Sequence, residues 1–334
     1  MSPARAPVYP RAMDAASPPR LALALATRDG AGWLGAQLDS IAAQTLPPDL
    51  VLAGDDGSTD ATPDILDAFG AAHPALGLTR VPGPRQGSAA NFISLLARLP
   101  EGTRHAAFAD QDDVWLPGKL ARAVDRLAAE GRGRDGPVLY CARVTICDDA
   151  LRPRGATRLP ARPMGFGNAL AQNVASGNTI VLNAAATAIA REAAARIVAT
   201  GAWPVVHDWW LYQLVTGAGG RAVFDPEPQL MYRQHAGNLI GANAGVLARA
   251  RRLRHLWVGT YRSWNETNLA ALSAAEHLLT PRNAARLRAF RRARARKGVA
   301  AAPARLAALR GLGLYRQGRR GQTSLYAAAL MGKL

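Results

Sequence analysis

Through its first 130 residues the chain alternates short apolar runs with longer stretches of helical spacing, and several runs break off in acidic residues. The run from Leu21 predicts a strand over 21–27. Trp33, Leu34, Leu38 and Ile41 then recur at core-facing helical spacing and predict a helix over 31–44. The same reading places strands over 49–54, 76–81 and 105–109, helices over 88–98 and 117–130, and a strand over 137–143. This alternation is the signature of an α/β unit with a largely parallel sheet. From 148 to 166 the chain is rich in Arg and Pro without clear period, which predicts a long, mobile connection. A strand over 179–183, an Ala-rich helix over 184–199, a helix opening near His207 and a short strand over 221–225 follow. Beyond 244 the spacing is helical to the end. Val246, Ala250, Leu253 and Trp257 form one apolar stripe beside Arg249, Arg251, Arg252 and Arg254, and a more basic run covers Arg282 to Lys297.

Charge divides the chain. Residues 1–240 carry 22 Lys and Arg against 22 Asp and Glu, whereas residues 241–334 carry 19 against 2, the whole of the net +17. A balanced body and a basic tail are thus expected: a leader without fold of its own over 1–19, a globular body over 20–242 and a basic helical region over 243–334. Such a tail suits helices packed on the body with solvated arginines, or the anionic inner face of a membrane, or nucleic acid. The two cysteines, Cys141 and Cys147, are too few for a disulfide framework and read as buried thiols in a reducing compartment. No apolar run approaches the ~20 residues that a membrane span requires, and the six-residue run from Leu21 is too short for a signal-peptide core. A cytoplasmic protein with a peripheral contact at the inner face of the membrane, through residues 243–334, is the expectation.

Two acidic clusters stand at the predicted C-terminal ends of strands, Asp55-Asp56 and Asp110-Gln111-Asp112-Asp113. Ligands of open α/β sheets bind at that edge. Carboxylates this close repel one another, so a cation belongs among them. A hard divalent ion fits, because Mg2+-type ions take one or two carboxylates and complete their shell with phosphate oxygens. No G-x-G-x-x-G follows the first strand and no Walker-type loop is present, which argues against dinucleotide and P-loop chemistry.

Four motifs occur in a telling order: Asp55-Asp56-Gly57-Ser58-Thr59-Asp60; Asp110-Gln111-Asp112-Asp113-Val114-Trp115 with Pro117, Lys119 and Leu120; His207-Asp208-Trp209-Trp210; and Tyr232-Arg233-Gln234-His235 through Asn238, Ile240 and Gly241. Over residues 20–242 the chain resembles the family 2 inverting glycosyltransferases, and among them the rhamnosyltransferase-type members. The resemblance implies a GT-A-like fold with a mostly parallel central sheet. It also implies a nucleotide-diphospho-sugar donor (dTDP- or UDP-linked), a glycan or lipid-linked glycan acceptor, and a divalent metal, Mg2+ or Mn2+, held by the D-x-D element.

On this reading Asp208 is the general base, at the matching family position, with His207, Trp209 and Trp210 on the acceptor side. Thr27, Asp29, Asp55 and Asp56 face the nucleoside, Asp56 taking a base N–H and Asp110 the ribose hydroxyls. Gln111 belongs to the same donor wall. Asp112 or Asp113 is the closer metal ligand, and His235 is a third. Arg233 pairs with phosphate, Gly177 and Asn178 line the pocket, and Asn91 steadies its sugar-binding edge. The chain departs from the family at Thr27-Arg28-Asp29-Gly30, where an aromatic residue and Asn are common, which leaves uridine and thymidine both open. Two other readings stand beside this one. A sugar nucleotidyltransferase would need a Gly-rich basic loop where the chain has Arg28-Asp29-Gly30-Ala31-Gly32. A basic nucleic-acid-binding protein would leave the four motifs unexplained, so nucleic acid is not the expected partner.

Overall fold

A computed structural model describes residues 18–131, 136–235 and 260–334. The expected leader up to residue 17, the motif residues Asn238, Ile240 and Gly241, and the stripe from Val246 to Trp257 lie outside the described residues. The catalytic half runs β1 (Leu21–Thr27), α1 (Ala31–Ala42), β2 (Leu50–Asp55), α2 (Thr62–Ala72), β3 (Leu78–Pro82), α3 (Ser88–Ala97) and β4 (His105–Ala109). It continues with β5 (Val114–Trp115), α4 (Lys119–Gly131), β6 (Val138–Cys147), β7 (Pro153–Ala156), α5 (Phe166–Ala169), β8 (Val181–Leu182), α6 (Ala184–Thr200), α7 (His207–Gly217) and β9 (Arg221–Arg233). Four C-terminal helices follow: α8 (Thr260–Ala274), α9 (Pro281–Ala295), α10 (Ala302–Gly311) and α11 (Arg319–Leu330).

The strands lie in the order β3-β2-β1-β4-β8-β6-β9-β5, with β7 added beside β6. The first four are parallel, as the alternating pattern predicts. Every residue of β1 is buried because helices cover both sheet faces. Its alternate residues divide the core: Ala22, Ala24 and Ala26 face α3 and α6, while Leu21, Leu23 and Leu25 face α1 and α4. Beyond β4 the sheet is mixed, since β8 is antiparallel to both β4 and β6 whereas β9 is parallel to β6.

Two differences from the predicted elements matter for the site. β9 does not stop at 225 but runs to Arg233, with its pairing to β6 shifting between Ala142 and Arg143, opposite the Pro226–Pro228 segment. Prolines read as strand breakers, yet a bulge absorbs them. The extension lets β9 pair antiparallel with β5, Val114 opposite Met231, so the end of β9 returns beside the acidic cluster. Residues 148–166, expected to be a loose connection, contain the strand β7 and lead directly into the short helix α5, which begins at Phe166.

The C-terminal helices are not a separate layer. Leu269, Leu272, Leu287, Phe290, Leu309, Leu325 and Leu334 belong to the same apolar cluster as Phe108, Trp210 and Leu214. Polar contacts tie the two parts as well: Asn265 Nδ2 donates to the Leu170 carbonyl at 3.2 Å, Asn168 Nδ2 to the Tyr315 carbonyl at 3.0 Å, and Val205 N to Asn268 Oδ1 at 2.9 Å. Both cysteines are free and buried. Among the described residues no helix is long and apolar enough to cross a membrane.

Candidate active site

The C-terminal ends of β1, β2 and β4 form one edge, held by side chains that bridge the loops. Gln111 receives Arg28 N on its Oε1 and donates its Nε2 to the Arg28 carbonyl, both at 2.8 Å. A Cβ on Gly30 would fall 2.2 Å from Gln111 Oε1, so glycine is the residue that lets this amide lie flat on the β1 loop. Asp29 accepts from Thr59 N at 2.8 Å, and Asp55 from Ser58 N at 3.2 Å and from the Ser58 hydroxyl. Asp56 is buried, with its two oxygens on Arg85 N (2.6 Å) and Gly87 N (2.8 Å). Thr27 Oγ1 and Asn91 Nδ2 both donate to the Gly54 carbonyl, at 3.1 and 2.7 Å. Asn91 is therefore not at the sugar-binding edge: it is 1% exposed and lies beneath the end of β2.

The acidic cluster separates into three environments. Asp110 sits at the end of β4, and burial, followed by the charges of Asp113, Asp112 and Asp208, pushes its carboxyl well above the usual range. The charge of Asp208 acts on Asp110 although the two residues lie on different elements, the end of β4 and the start of α7. Asp112 turns outward, its Oδ2 2.8 Å from His235 Nε2. Asp113 turns inward, fully buried, and accepts Asn178 Nδ2 at 2.6 Å. The expected trio of Asp112, Asp113 and His235 therefore reduces to Asp112 with His235. Burial, then the charge of Asp112, raises the Asp113 carboxyl, while burial lowers the Lys119 amine nearby. Lys119 Nζ lies 3.3 Å from the Trp115 ring centroid and has no hydrogen-bond partner among the described residues. Gln37, in the amide orientation that satisfies both bonds, donates to the Asp113 carbonyl at 2.6 Å and accepts from Trp115 Nε1 at 3.2 Å.

His235 arrives from the end of β9 and stacks on Trp33 of α1, with ring centroids 4.0 Å apart and planes 15° apart. Trp33 Nε1 in turn donates to Asp149 at 3.1 Å. Helical spacing had assigned Trp33 to the core; nothing in that spacing shows that its ring faces a strand two hundred residues away. Arg233, expected on a phosphate, gives its guanidinium to the Asp112 carbonyl (Nε, 3.0 Å) and the Asp149 carbonyl, and so joins β9 to the acidic loop.

Asp208 lies in the first turn of α7, half-buried, with Oδ2 accepting Gly177 N at 3.2 Å and Oδ1 accepting Trp209 N at 2.6 Å. Burial pushes its carboxyl up to about 6 against the hydrogen bonds from Trp209, Asn173 and Gly177. The Gly177–Thr179 turn is thus a bridge: Gly177 holds Asp208 while Asn178 holds Asp113. A Cβ at Gly177 would stand 2.7 Å from the His207 ring and 3.3 Å from Asp208 Cβ, so the close approach requires glycine. The three aromatic neighbours expected on the acceptor side, His207, Trp209 and Trp210, are all buried. His207 stacks against Phe92 at 3.9 Å, and burial lowers its pKa to about 3, which keeps it neutral. Trp209, 4% exposed, donates Nε1 to the Ala169 carbonyl at 2.7 Å, and Trp210 is fully buried.

A hard divalent ion fits the outer pair. Asp112 Oδ2 and His235 Nε2 are spaced as two ligands of one ion can be. No cluster of three His, Cys, Asp or Glu donors forms among the described residues, so other positions would fall to phosphate oxygens and water.

Known proteins resemble the chain at several levels. It is 27% identical over 241 residues to the dTDP-rhamnosyl transferase RfbG of Shigella flexneri, covering 70% of this chain and 80% of that one. An uncharacterized Mycobacterium tuberculosis protein, Rv1520, is 29% identical over 202 residues, which are 60% of this chain and 54% of its own length. The mannosyltransferase PcManGT of Pyrobaculum calidifontis, solved with GDP-Man and Mn2+, superposes with a TM-score of 0.49 at 21% identity, covering 96% of this chain and 89% of that one. The model of glycosyl transferase family 2 matches residues 25–197, more than half of the chain and the whole span from β1 through the acidic cluster to α6. The chain therefore belongs to glycosyl transferase family 2.

Proposed function

We propose that the protein is an inverting, metal-dependent glycosyltransferase that moves a sugar, with rhamnose the first candidate, from a dTDP- or UDP-linked donor to a glycan or lipid-linked glycan acceptor. The single observation that carries the mechanism is Asp208: a half-buried carboxylate at the start of α7, tied through the Gly177–Thr179 turn to Asp113 of the acidic cluster, with its carboxyl raised to about 6 by burial. A carboxylate so placed takes the proton of an acceptor hydroxyl as that oxygen attacks the anomeric carbon. Burial makes it a stronger base than an ordinary aspartate once ionised. One displacement on the face opposite the leaving group inverts the configuration.

The nucleoside is assigned to the edge formed by Thr27, Asp29, Asp55 and Asp56, and the ribose to Asp110. Because both oxygens of Asp56 already accept backbone N–H groups, its contact with a base would use a remaining lone pair. Asp112 and His235 would hold the divalent ion, which when bound neutralises charge on the departing nucleoside diphosphate. Gly177 and Asn178 act by positioning Asp208 and Asp113. Nucleotide-sugar donors place the reaction in the cytoplasm. Rhamnose is supported by the likeness to the Shigella rhamnosyl transferase. The testing experiment is a thermal-shift panel of dTDP- and UDP-sugars with Mn2+ or Mg2+, followed by product analysis with the donor that stabilises. Release of free nucleoside diphosphate is expected; release of pyrophosphate would sink the proposal.

A further inference from the structure

The C-terminal helices end in a feature that the transfer chemistry does not use. Arg305 on α10 is 1% exposed and meets no carboxylate among the described residues. Its guanidinium is satisfied by four main-chain carbonyls: Nε donates to Ala329 at 2.6 Å, Nη1 to Arg296 at 2.9 Å and Gly298 at 3.0 Å, and Nη2 to Leu330 at 3.0 Å. One buried cation thus clasps two chain segments, the turn after α9 and the end of α11. A buried charge is retained only when its donors are filled, and here backbone fills them.

The clasp presents an apolar tip. Gly298, at φ +80°, turns the chain so that Val299 stands 84% exposed, and on the other segment Leu330 and Met331 are 49% and 51% exposed. These are three of the six large hydrophobic side chains exposed among the described residues; the Arg305 guanidinium bonds the carbonyl of Leu330 itself and that of Gly298, next in the chain to Val299. Arg291, Arg292, Arg296 and Lys297 flank the tip, all exposed. The two acids of residues 241–334 meet other arginines: Glu276 pairs with Arg288, and Glu266 lies 3.8 Å from Arg294.

We infer that this tip is a membrane-contact surface for anionic phospholipid. Exposed apolar side chains beside four exposed cations, with the one nearby acid of this region, Glu266, against the buried Arg294, match the boundary between acyl chains and negatively charged headgroups. A protein partner of mixed charge would leave those cations unpaired. The inference concerns residues 291–299 and 330–331 and is independent of the transfer reaction, so failure of one leaves the other standing.

Vesicle flotation of the full chain tests it, with vesicles of phosphatidylcholine alone and of phosphatidylcholine mixed equally with phosphatidylglycerol. Flotation is expected with the anionic vesicles only, weakened by high salt. The combined change Val299→Asp, Leu330→Asp and Met331→Asp should cut it by at least tenfold. Arg296→Gln with Lys297→Gln should weaken it by about fivefold per charge removed. Thermal melting of each variant verifies folding, and these exposed positions should leave it within a few degrees of wild type. Undiminished flotation of the triple variant, flotation lost only on replacing Arg249 to Arg254, or absence of flotation would each overturn the inference. So would a concentration-dependent dimer in lipid-free sedimentation that the triple variant abolishes, since the tip would then face a second copy.

Discussion

Replacing Asp208 by Asn removes the proposed base while keeping its size. Above pH 6 the wild-type group is ionised, at a cost set by the rise from 3.8 to about 6. That rise corresponds to about 3 kcal/mol. Its sign is fixed: a raised folded value favours the protonated form, so this stability is fully present below pH 3.8 and is lost as pH rises through 6. Of that cost, roughly half is already present at pH 5 and nearly all of it at pH 8. Asparagine pays none of it, but it offers one carbonyl where Gly177 N and Trp209 N need two acceptors. One N–H then faces an amide NH2, a loss of about 1–3 kcal/mol. The variant should therefore gain on the order of 1–2 kcal/mol on wild type between pH 5 and pH 8, read by urea unfolding at both pH values. Its kcat/KM should fall by about 100- to 10,000-fold, and the acid limb near pH 6 in the wild-type profile should vanish. A variant that keeps a tenth of wild-type transfer, or whose stability difference does not move with pH, would refute both the base assignment and the desolvated carboxylate beneath it.

Other outcomes follow from the same contacts. Gly177→Ala places a methyl 2.7 Å from a His207 ring already pinned by Phe92; a loss of about 1–3 kcal/mol by urea unfolding is expected, with a fall in kcat larger than any rise in donor KM. Asp112→Ala should weaken Mn2+-dependent stabilisation by nucleoside diphosphate about 10- to 100-fold in a metal titration, and an unchanged titration would remove Asp112 from the metal site. Asp225 receives Arg122 through two bonds of 2.6 and 2.9 Å and the Tyr140 hydroxyl at 3.1 Å. Asp225→Ala leaves the buried phenol unpaired while Arg122, partly exposed, finds water. A loss of about 2–3 kcal/mol is expected by denaturant unfolding, with donor binding unchanged.

What could be read from the residues was whatever has a local period or a local charge. The strands over 21–27 and 105–109 have those bounds in the structure, because their residues pack on both faces and leave a continuous apolar run. The carboxylates were recognisable as a set because they follow strands. Their orientations were not: whether Asp112 or Asp113 turns outward depends on Asn178, sixty-five residues away, which takes Asp113 inward. Trp209 and Trp210 were placed on the acceptor side by the motif that the resemblance rests on; that α7 buries both rings is a property of its packing that the motif does not carry. Lys119 stood in a quoted motif without a role, since a lysine at a helix start is ordinarily solvated and only tertiary packing buries it. The prolines of β9 concealed the extension that carries Arg233 and His235 to the acidic loop, because a bulge is a property of two paired strands and not of one.

The shared apolar cluster that joins Phe108 and Trp210 to Leu309, Leu325 and Leu334 has a consequence for any attempt to divide the protein. The stretch that carries the family pattern ends in α6, but the floor under α7 is supplied by helices that lie up to 130 residues further on. Cutting after β9 would strip that floor and expose core residues of α7 such as Trp210 and Leu214. Chimaeras that exchange acceptor preference among relatives should therefore carry the C-terminal helices with the catalytic half, as a single inherited piece.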